Sequence, residues 1–296
     1  MESQSSRLIA DYNYYLKIER QMSPNTVSSY SSDVVAFFES CGLKPSEVTQ
    51  DDIEKYVSER SDDLSKRSQA RLLSALRSFF DYLQIEKERD DNPCENVSAP
   101  KLGRYLPQVL SVDEVSSIID SVQGRGMSAV RDRAMLEMLY GCGLRVSELC
   151  GLLISHVYLE EGFVRVVGKG DKERLVPLGE MAADAFAQWL EVRPDSPQYA
   201  DVAFLNRFGA PLSRVSVFNM VKKQALLAGI TKEISPHTFR HSFATHMIEN
   251  GADLRIVQEM LGHENILTTE IYTHVDQATW QEAVLDHHPR RRKETR

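Results

Sequence analysis

Apolar residues recur along this chain at two spacings, and the change from one to the other marks out its elements. Over residues 5–88 the spacing is helical throughout. Residues 11–20 have an amphipathic helical pattern. Ser23-Pro24-Asn25-Thr26 then reads as a cap and first turn, with Val27, Tyr30, Val34, Phe37 and Phe38 along one face until Gly42 closes the helix. Thr49, with Asp52, starts a third helix through Ile53, Tyr56 and Val57. Ser65 starts a fourth, whose Leu72, Leu76, Phe79, Phe80 and Leu83 face inward. Aromatic stripes at this spacing are core.

Residues 90–107 break the pattern: three prolines and a glycine deny a continuous helix, and the linker between two domains is placed at residues 99–107. Helix resumes at Ser111, with Glu114 at the capping-box position, and residues 130–140 form a buried helix. The spacing then shortens to that of strands in Phe163–Val167 and residues 174–178. Both are β-branched, and Gly168-Lys169-Gly170-Asp171-Lys172-Glu173 joins them, so they predict a hairpin with a lysine at its tip. Helices follow over residues 182–192 and 213–228. Another opens at Ser235-Pro236 and ends at Gly251. A short apolar segment over residues 254–261 stops at Gly262, and Tyr272 lies in a further helix-like segment. Beyond it Trp280, Ala283, Val284 and Leu285 suit a small helix that docks on a partner, ahead of a tail rich in arginine. The expected fold is mainly α, with a four-helix N-terminal domain over residues 1–98 and an α+β domain over residues 108–296 that carries a small antiparallel sheet.

Composition adds bounds to this picture. The chain has 296 residues, enough for two cores, and 42% hydrophobic against 26% charged residues is ordinary for a globular protein. No apolar run approaches the roughly 20 residues of a spanning helix, and the N-terminus lacks a basic leader, so a cytoplasmic location without membrane attachment is expected. Cys41, Cys94, Cys142 and Cys150 are too scattered for a zinc knuckle or a CxxC pair and read as reduced thiols. The net charge of -8 argues against a nucleic-acid partner until its distribution is considered. Residues 65–89 carry six bases against three acids, and residues 205–223 carry four bases and no acid. Basic faces on an acidic chain are therefore available. Lys66, Arg67, Arg71 and Arg77 occupy the outward side of the fourth helix, and Arg214, Lys222 and Lys223 mark the helix over residues 213–228 as one for a major groove.

Candidate chemistry gathers in residues 235–272. His237 and Arg240 stand three apart and share a helix face, His263 follows Gly262, and Tyr272 comes nine residues later. Two imidazoles, a guanidinium and a phenol, without a cysteine or a carboxylate pair, suit a phosphodiester. A phosphate calls for a second planar donor, and Arg145 supplies it after the glycine-rich turn Gly141-Cys142-Gly143, with Glu148 one turn on to orient a donor. Competing readings are weaker. His237 and His241 have the spacing of two zinc ligands, but HTFRH lacks the glutamate of HExxH, and the hairpin glycines do not form GxxxxGK[ST].

In their order, Arg145, His237 with Arg240, His263 and Tyr272 make the chain resemble the tyrosine site-specific recombinases of the phage-integrase family. The phrases GLRVSELCGL, VVGKGDKERLVPL, HTFRHSFATHMIENGADLRIVQEMLGH and TTEIYTHV bring it nearest the XerC/XerD group, and HHPR at residues 287–290 leans toward the XerD side. That resemblance implies a DNA clamp, in which an N-terminal core-binding (SAM-like) domain grips the duplex opposite the catalytic domain and Lys101 and Arg104 of the linker follow the backbone. It implies that Tyr272 attacks phosphorus to give a 3′-phosphotyrosine, with His237 managing the phenol proton, Arg145 and Arg240 holding the growing charge, and His263 adding a hydrogen bond. Lys169 is the implied acid for the 5′ oxygen, Lys172 the alternative, and Glu148 supports the pocket. No metal or other cofactor is required. The implied partners are double-stranded DNA at a specific site and a related recombinase subunit completing a tetramer through the C-terminal helix, and a DNA translocase is admitted as activator. The implied task is exchange through a Holliday junction that resolves chromosome dimers. Integration of a phage or mobile element, and a non-catalytic DNA-binding role, are the alternatives.

Overall fold

The computed structural model describes residues 4–100, 108–168, 173–262 and 287–289. Its chain divides into two compact units, Met1–Tyr105 and Leu106–Arg296.

Unit 1 is built from α1 (Gln4–Ile18), α2 (Pro24–Cys41), α3 (Gln50–Glu59) and α4 (Lys66–Ile85). Each of the last three starts where a side-chain oxygen can take up free backbone N–H groups. The Ser23 hydroxyl accepts from Thr26 N–H ahead of Pro24, Thr49 and Asp52 cap each other reciprocally, and Ser65 accepts from Ser68 N–H. Gly42 closes α2 at φ 65°, a left-handed turn that glycine enters without steric cost. The core is aromatic: the Phe79 ring meets Tyr12 at 5.2 Å, Phe38 at 5.5 Å and Phe80 at 5.6 Å, each edge to face.

The proline-containing stretch after α4 does not leave this unit at once. Cys94 and Val97 are buried in the same core. Asn92 Nδ2 donates to Asp81 Oδ1 at 2.6 Å, and Arg77 Nη2 donates to the carbonyls of Cys94 (3.2 Å) and Val97 (3.1 Å). A segment that sequence pattern reads as a break is thus packed as far as residue 97, because side chains of α4 satisfy its backbone.

Unit 2 contains α5 (Val112–Asp120), α6 (Met127–Gly141), α7 (Val146–Cys150), β1 (Val157–Tyr158), β2 (Phe163–Val167), β3 (Glu173–Pro177), α8 (Glu180–Val192), α9 (Arg214–Leu227), α10 (Pro236–Glu249) and α11 (Leu254–Leu261). α6 is buried on all sides from Ala134 to Gly141 and packs against α8 and α10. Trp189 of α8 donates its indole N–H to Ala203 O at 2.8 Å and stacks on Phe204. The three strands form an antiparallel sheet in the order β1-β2-β3, with Val164 opposite Val176 and Val166 opposite Arg174. Val164, Val166 and Val176 point inward, and so does Arg174. Strand parity therefore places a guanidinium where the neighbouring positions are valines. Among the described residues no helix is long and apolar enough to cross a membrane.

Candidate active site

The site is assembled around the end of α11. A helix C-terminus leaves its last carbonyls without intrahelical partners and carries the negative end of the helix dipole. Here Gly262 turns the chain left-handed at φ 63°, and three consecutive carbonyls each receive a different guanidinium. Arg174 Nε donates to Met260 O at 2.7 Å, Arg240 Nη2 donates to Leu261 O, and Arg145 Nη2 donates to Gly262 O at 3.1 Å. The three arginines come from β3, from α10 and from the residue that precedes α7, so one short turn gathers elements far apart in sequence.

Glu148 binds the same arginines from the other side. Its Oε1 accepts from Arg145 Nη1 and from Arg174 Nη1, both at 2.8 Å, and its Oε2 accepts from Arg174 Nη2 at 2.9 Å and from the Arg145 backbone N–H at 2.8 Å. Arg240 Nη1 lies 4.0 Å from Oε2. Burial by itself would push the Glu148 carboxyl up, but its bonds to Arg174 and Arg145 outweigh burial and hold it below the ordinary carboxylate range. For Arg240, burial first and the neighbouring Arg145 second pull the guanidinium down to about 9, against the opposing pull of Glu148. It stays charged at neutral pH. Among the described residues, one carboxylate against three guanidiniums leaves the cluster with two surplus positive charges.

Local sequence explains how each side chain arrives. Gly143 stands at φ 56°, and a Cβ there would come 2.6 Å from the Phe243 ring, so only glycine allows the turn into Arg145. The Gly143 carbonyl in turn accepts from Arg240 Nη1 at 2.7 Å. On α10, His237 and Arg240 lie one turn apart as their spacing requires, with the imidazole exposed and the guanidinium buried. His246 is a structural residue: its Nδ1 and the Tyr140 hydroxyl are 2.8 Å apart in the interior, and burial lowers its pKa. His241 is exposed. Lys169 with its alternative Lys172, His263 and Tyr272 lie outside the described residues, as do Lys101, Arg104 and the helix expected around Trp280. Among the described residues no group of three His, Cys, Asp or Glu side chains is placed to hold a metal ion.

Residues 108–279 match the phage integrase family, and residues 9–87 match the phage integrase N-terminal SAM-like domain. The chain belongs to this family as a tyrosine recombinase. It is 48% identical to the tyrosine recombinase XerD of Chlorobaculum tepidum, over 93% of this chain and 94% of that one. The crystal structure of XerA recombinase is similar at 32% identity and a TM-score of 0.51, covering 97% of this chain and all of that one. XerH site-specific recombinase bound to its difH substrate is similar at 25% identity and a TM-score of 0.67, covering 94% of this chain and 83% of that one. The fold is the mainly helical, two-domain architecture of these recombinases, and the enzyme is a DNA strand-transferring one.

The basic positions outside the cluster divide into two groups. Lys66 and Arg67, in the first turn of α4, are exposed, as are Arg214, Lys222 and Lys223 of α9. Exposed Val215 and Phe218 accompany the α9 cations, and the Lys222 ammonium lies 5.0 Å from the Phe218 ring. Arg71 is exposed, as its helical spacing suggested, but it is already paired, whereas Arg77 departs from the outward placement. Arg71 pairs with Asp33 and reaches Ser29 O, and Arg77 is half-buried on the carbonyls that follow α4. Their partners lie on other segments, which the spacing within α4 does not show.

Arg174 is the site residue that sequence reasoning passed over. Its signal was parity: it shares the inward face of β3 with Val176, and a buried arginine needs a carboxylate partner.

Proposed function

We propose that this recombinase cuts and rejoins DNA at a short specific site through a 3′-phosphotyrosine at Tyr272 and a Holliday junction, and that its task is to resolve chromosome dimers before cell division. The observation that carries the reading is the charge shortfall of the cluster. Arg145 and Arg240 stand beside one buried carboxylate with surplus positive charge, the condition that favours a dianionic pentacoordinate phosphorus.

In this reading the Tyr272 oxygen attacks phosphorus, and the bond from phosphorus to the 5′ oxygen breaks. His237 takes the phenol proton, which a free phenol with a pKa of about 10 does not readily give up. Lys169, or Lys172 in its place, delivers a proton to the departing 5′ oxygen, and His263 adds a hydrogen bond to the phosphate. The phosphotyrosine keeps the bond energy, so rejoining consumes no ATP. Lys66 and Arg67 of unit 1, with Arg214, Lys222 and Lys223 of α9, lie against the duplex. Lys101 and Arg104 follow its backbone between the domains, placed at residues 1–98 and 108–296. XerH is seen bound to difH, and a duplex site of that kind is the substrate proposed here. A related recombinase subunit completes the tetramer, a DNA translocase triggers the exchange, and the reaction takes place in the cytoplasm.

The test is incubation of the full chain with a labelled, nicked duplex carrying a dimer-resolution site, with and without a related recombinase, followed by a denaturing gel. A protease-sensitive shifted band, absent in Tyr272→Phe although that variant binds the duplex, is expected. Equal attachment by Tyr272→Phe, or binding without attachment under both conditions, would overturn the reading and favour a DNA-binding role.

A further inference from the structure

Arg174 is 5% exposed at its side chain, and three of its five N–H donors are engaged within the protein. Two bind both oxygens of Glu148, and a third binds Met260 O. A Cβ at Gly262 would come 3.2 Å from the Arg174 Cδ, so the turn that ends α11 closes directly over the arginine. It is therefore placed to act through its neighbours rather than on a substrate. Those neighbours are the parts that aim the other two arginines. Glu148 fixes Arg145, while Leu261 O and Gly262 O, next along the chain from the carbonyl that Arg174 holds, fix Arg240 and Arg145.

We propose that Arg174 is a positioning residue of the recombinase site: its fork locks Glu148 and the α11 turn in one register, so that Arg145 and Arg240 direct their remaining donors at a common phosphate. The assignment rests on the phosphoryl-transfer reading above. Without Arg174, Glu148 loses two of its four hydrogen bonds and can shift toward Arg240, now 4.0 Å away, and Met260 O loses its donor. Both movements shift the anchors of the arginines on which the phosphate depends. A misplacement of about 1 Å at reacting groups costs on the order of 100-fold in rate. Lysine cannot replace the fork, because a single ammonium does not span two carboxylate oxygens and a carbonyl in fixed directions.

Full-length Arg174→Lys and Arg174→Gly are compared with wild type for melting temperature, duplex affinity and the single-turnover rate of covalent attachment to the nicked duplex. The expected result is duplex affinity within about threefold of wild type and attachment slowed about 100-fold. Added guanidinium ion at millimolar concentration should restore attachment in Arg174→Gly, and ammonium ion should not. Attachment within about threefold of wild type in both variants overturns the proposal. So does parallel loss of folding, binding and attachment, and so does failure of both variants to fold. If wild type forms no adduct, the phosphotyrosine reading fails separately, and the stabilisation by inorganic phosphate decides for Arg174. A rise in melting temperature that wild type shows and Arg174→Lys lacks supports positioning; equal rises overturn it.

Discussion

Phe79 of unit 1 and Glu148 of unit 2 are both buried, yet what surrounds them differs in kind. Phe79 sits among Tyr12, Phe38 and Phe80, whose attraction is dispersive and tolerant of angle. Glu148 sits among guanidiniums whose bonds hold only at fixed lengths and directions. An apolar core loses a little stability when one member changes shape, because its neighbours repack. A charged cluster loses its balance when one member changes charge, even at constant shape, because no neighbour can supply the missing electron pair.

The comparison is tested hardest by Glu148→Gln, which alters shape least and charge most. Leaving three buried or half-buried arginines without their carboxylate should cost about 3–5 kcal/mol in unit 2 and abolish covalent attachment. Peptide-resolved hydrogen exchange would place the loss at α7, β3 and the end of α11. The variant also exposes a pH dependence. The folded Glu148 carboxyl lies below its ordinary value of 4.5, so its contribution is complete above that value and is lost as the pH falls through the lowered one. The stability gap between wild type and Glu148→Gln, followed by urea unfolding from neutral pH downward, should hold steady and then shrink below pH 4.5. A gap that does not depend on pH would mean that shape, not charge, sets the cost.

Phe79→Leu is the counterpart in unit 1. It changes shape and keeps apolarity, and it should cost about 1.5 kcal/mol, leaving attachment intact once the protein is folded. A loss as large as that of Glu148→Gln would erase the contrast between the units. The smallest effect is expected at Arg71→Gln, where the guanidinium is 43% exposed in its pair with Asp33. Solvent screens such a pair, and stability should change by at most about 1 kcal/mol. Duplex affinity in a salt titration is the more informative reading there, since a backbone contact by Arg71 would show as a shallower salt slope.

Much of unit 1 was legible because its determinants are local. The caps at Ser23, Thr49 and Ser65 and the stripes through Phe37, Phe38, Phe79 and Phe80 act within a few residues of one another, and the helices start where those residues put them. In unit 2 the hairpin, α10 and the glycine turns at Gly143 and Gly262 were legible for the same reason. So was the placing of Arg145, Glu148 and Arg240 as one group, through the order of residue types along the chain.

What an arginine does was not local. Arg71 and Arg77 share with Lys66 and Arg67 the helical spacing that reads as an outward basic face. The carbonyls of Cys94 and Val97 turn Arg77 to structural use, and Asp33 engages Arg71 while leaving it exposed. Arg174 stands in a strand that reads as ordinary, and its partners lie 26 and 86 residues away. A guanidinium on a long flexible stem is committed only by the acceptor it meets. Helix starts, core faces and turns follow from neighbours in sequence and were determined by the sequence alone; which arginines stay free for a phosphate and which brace the site was decided by tertiary structure, where their acceptors come from distant segments.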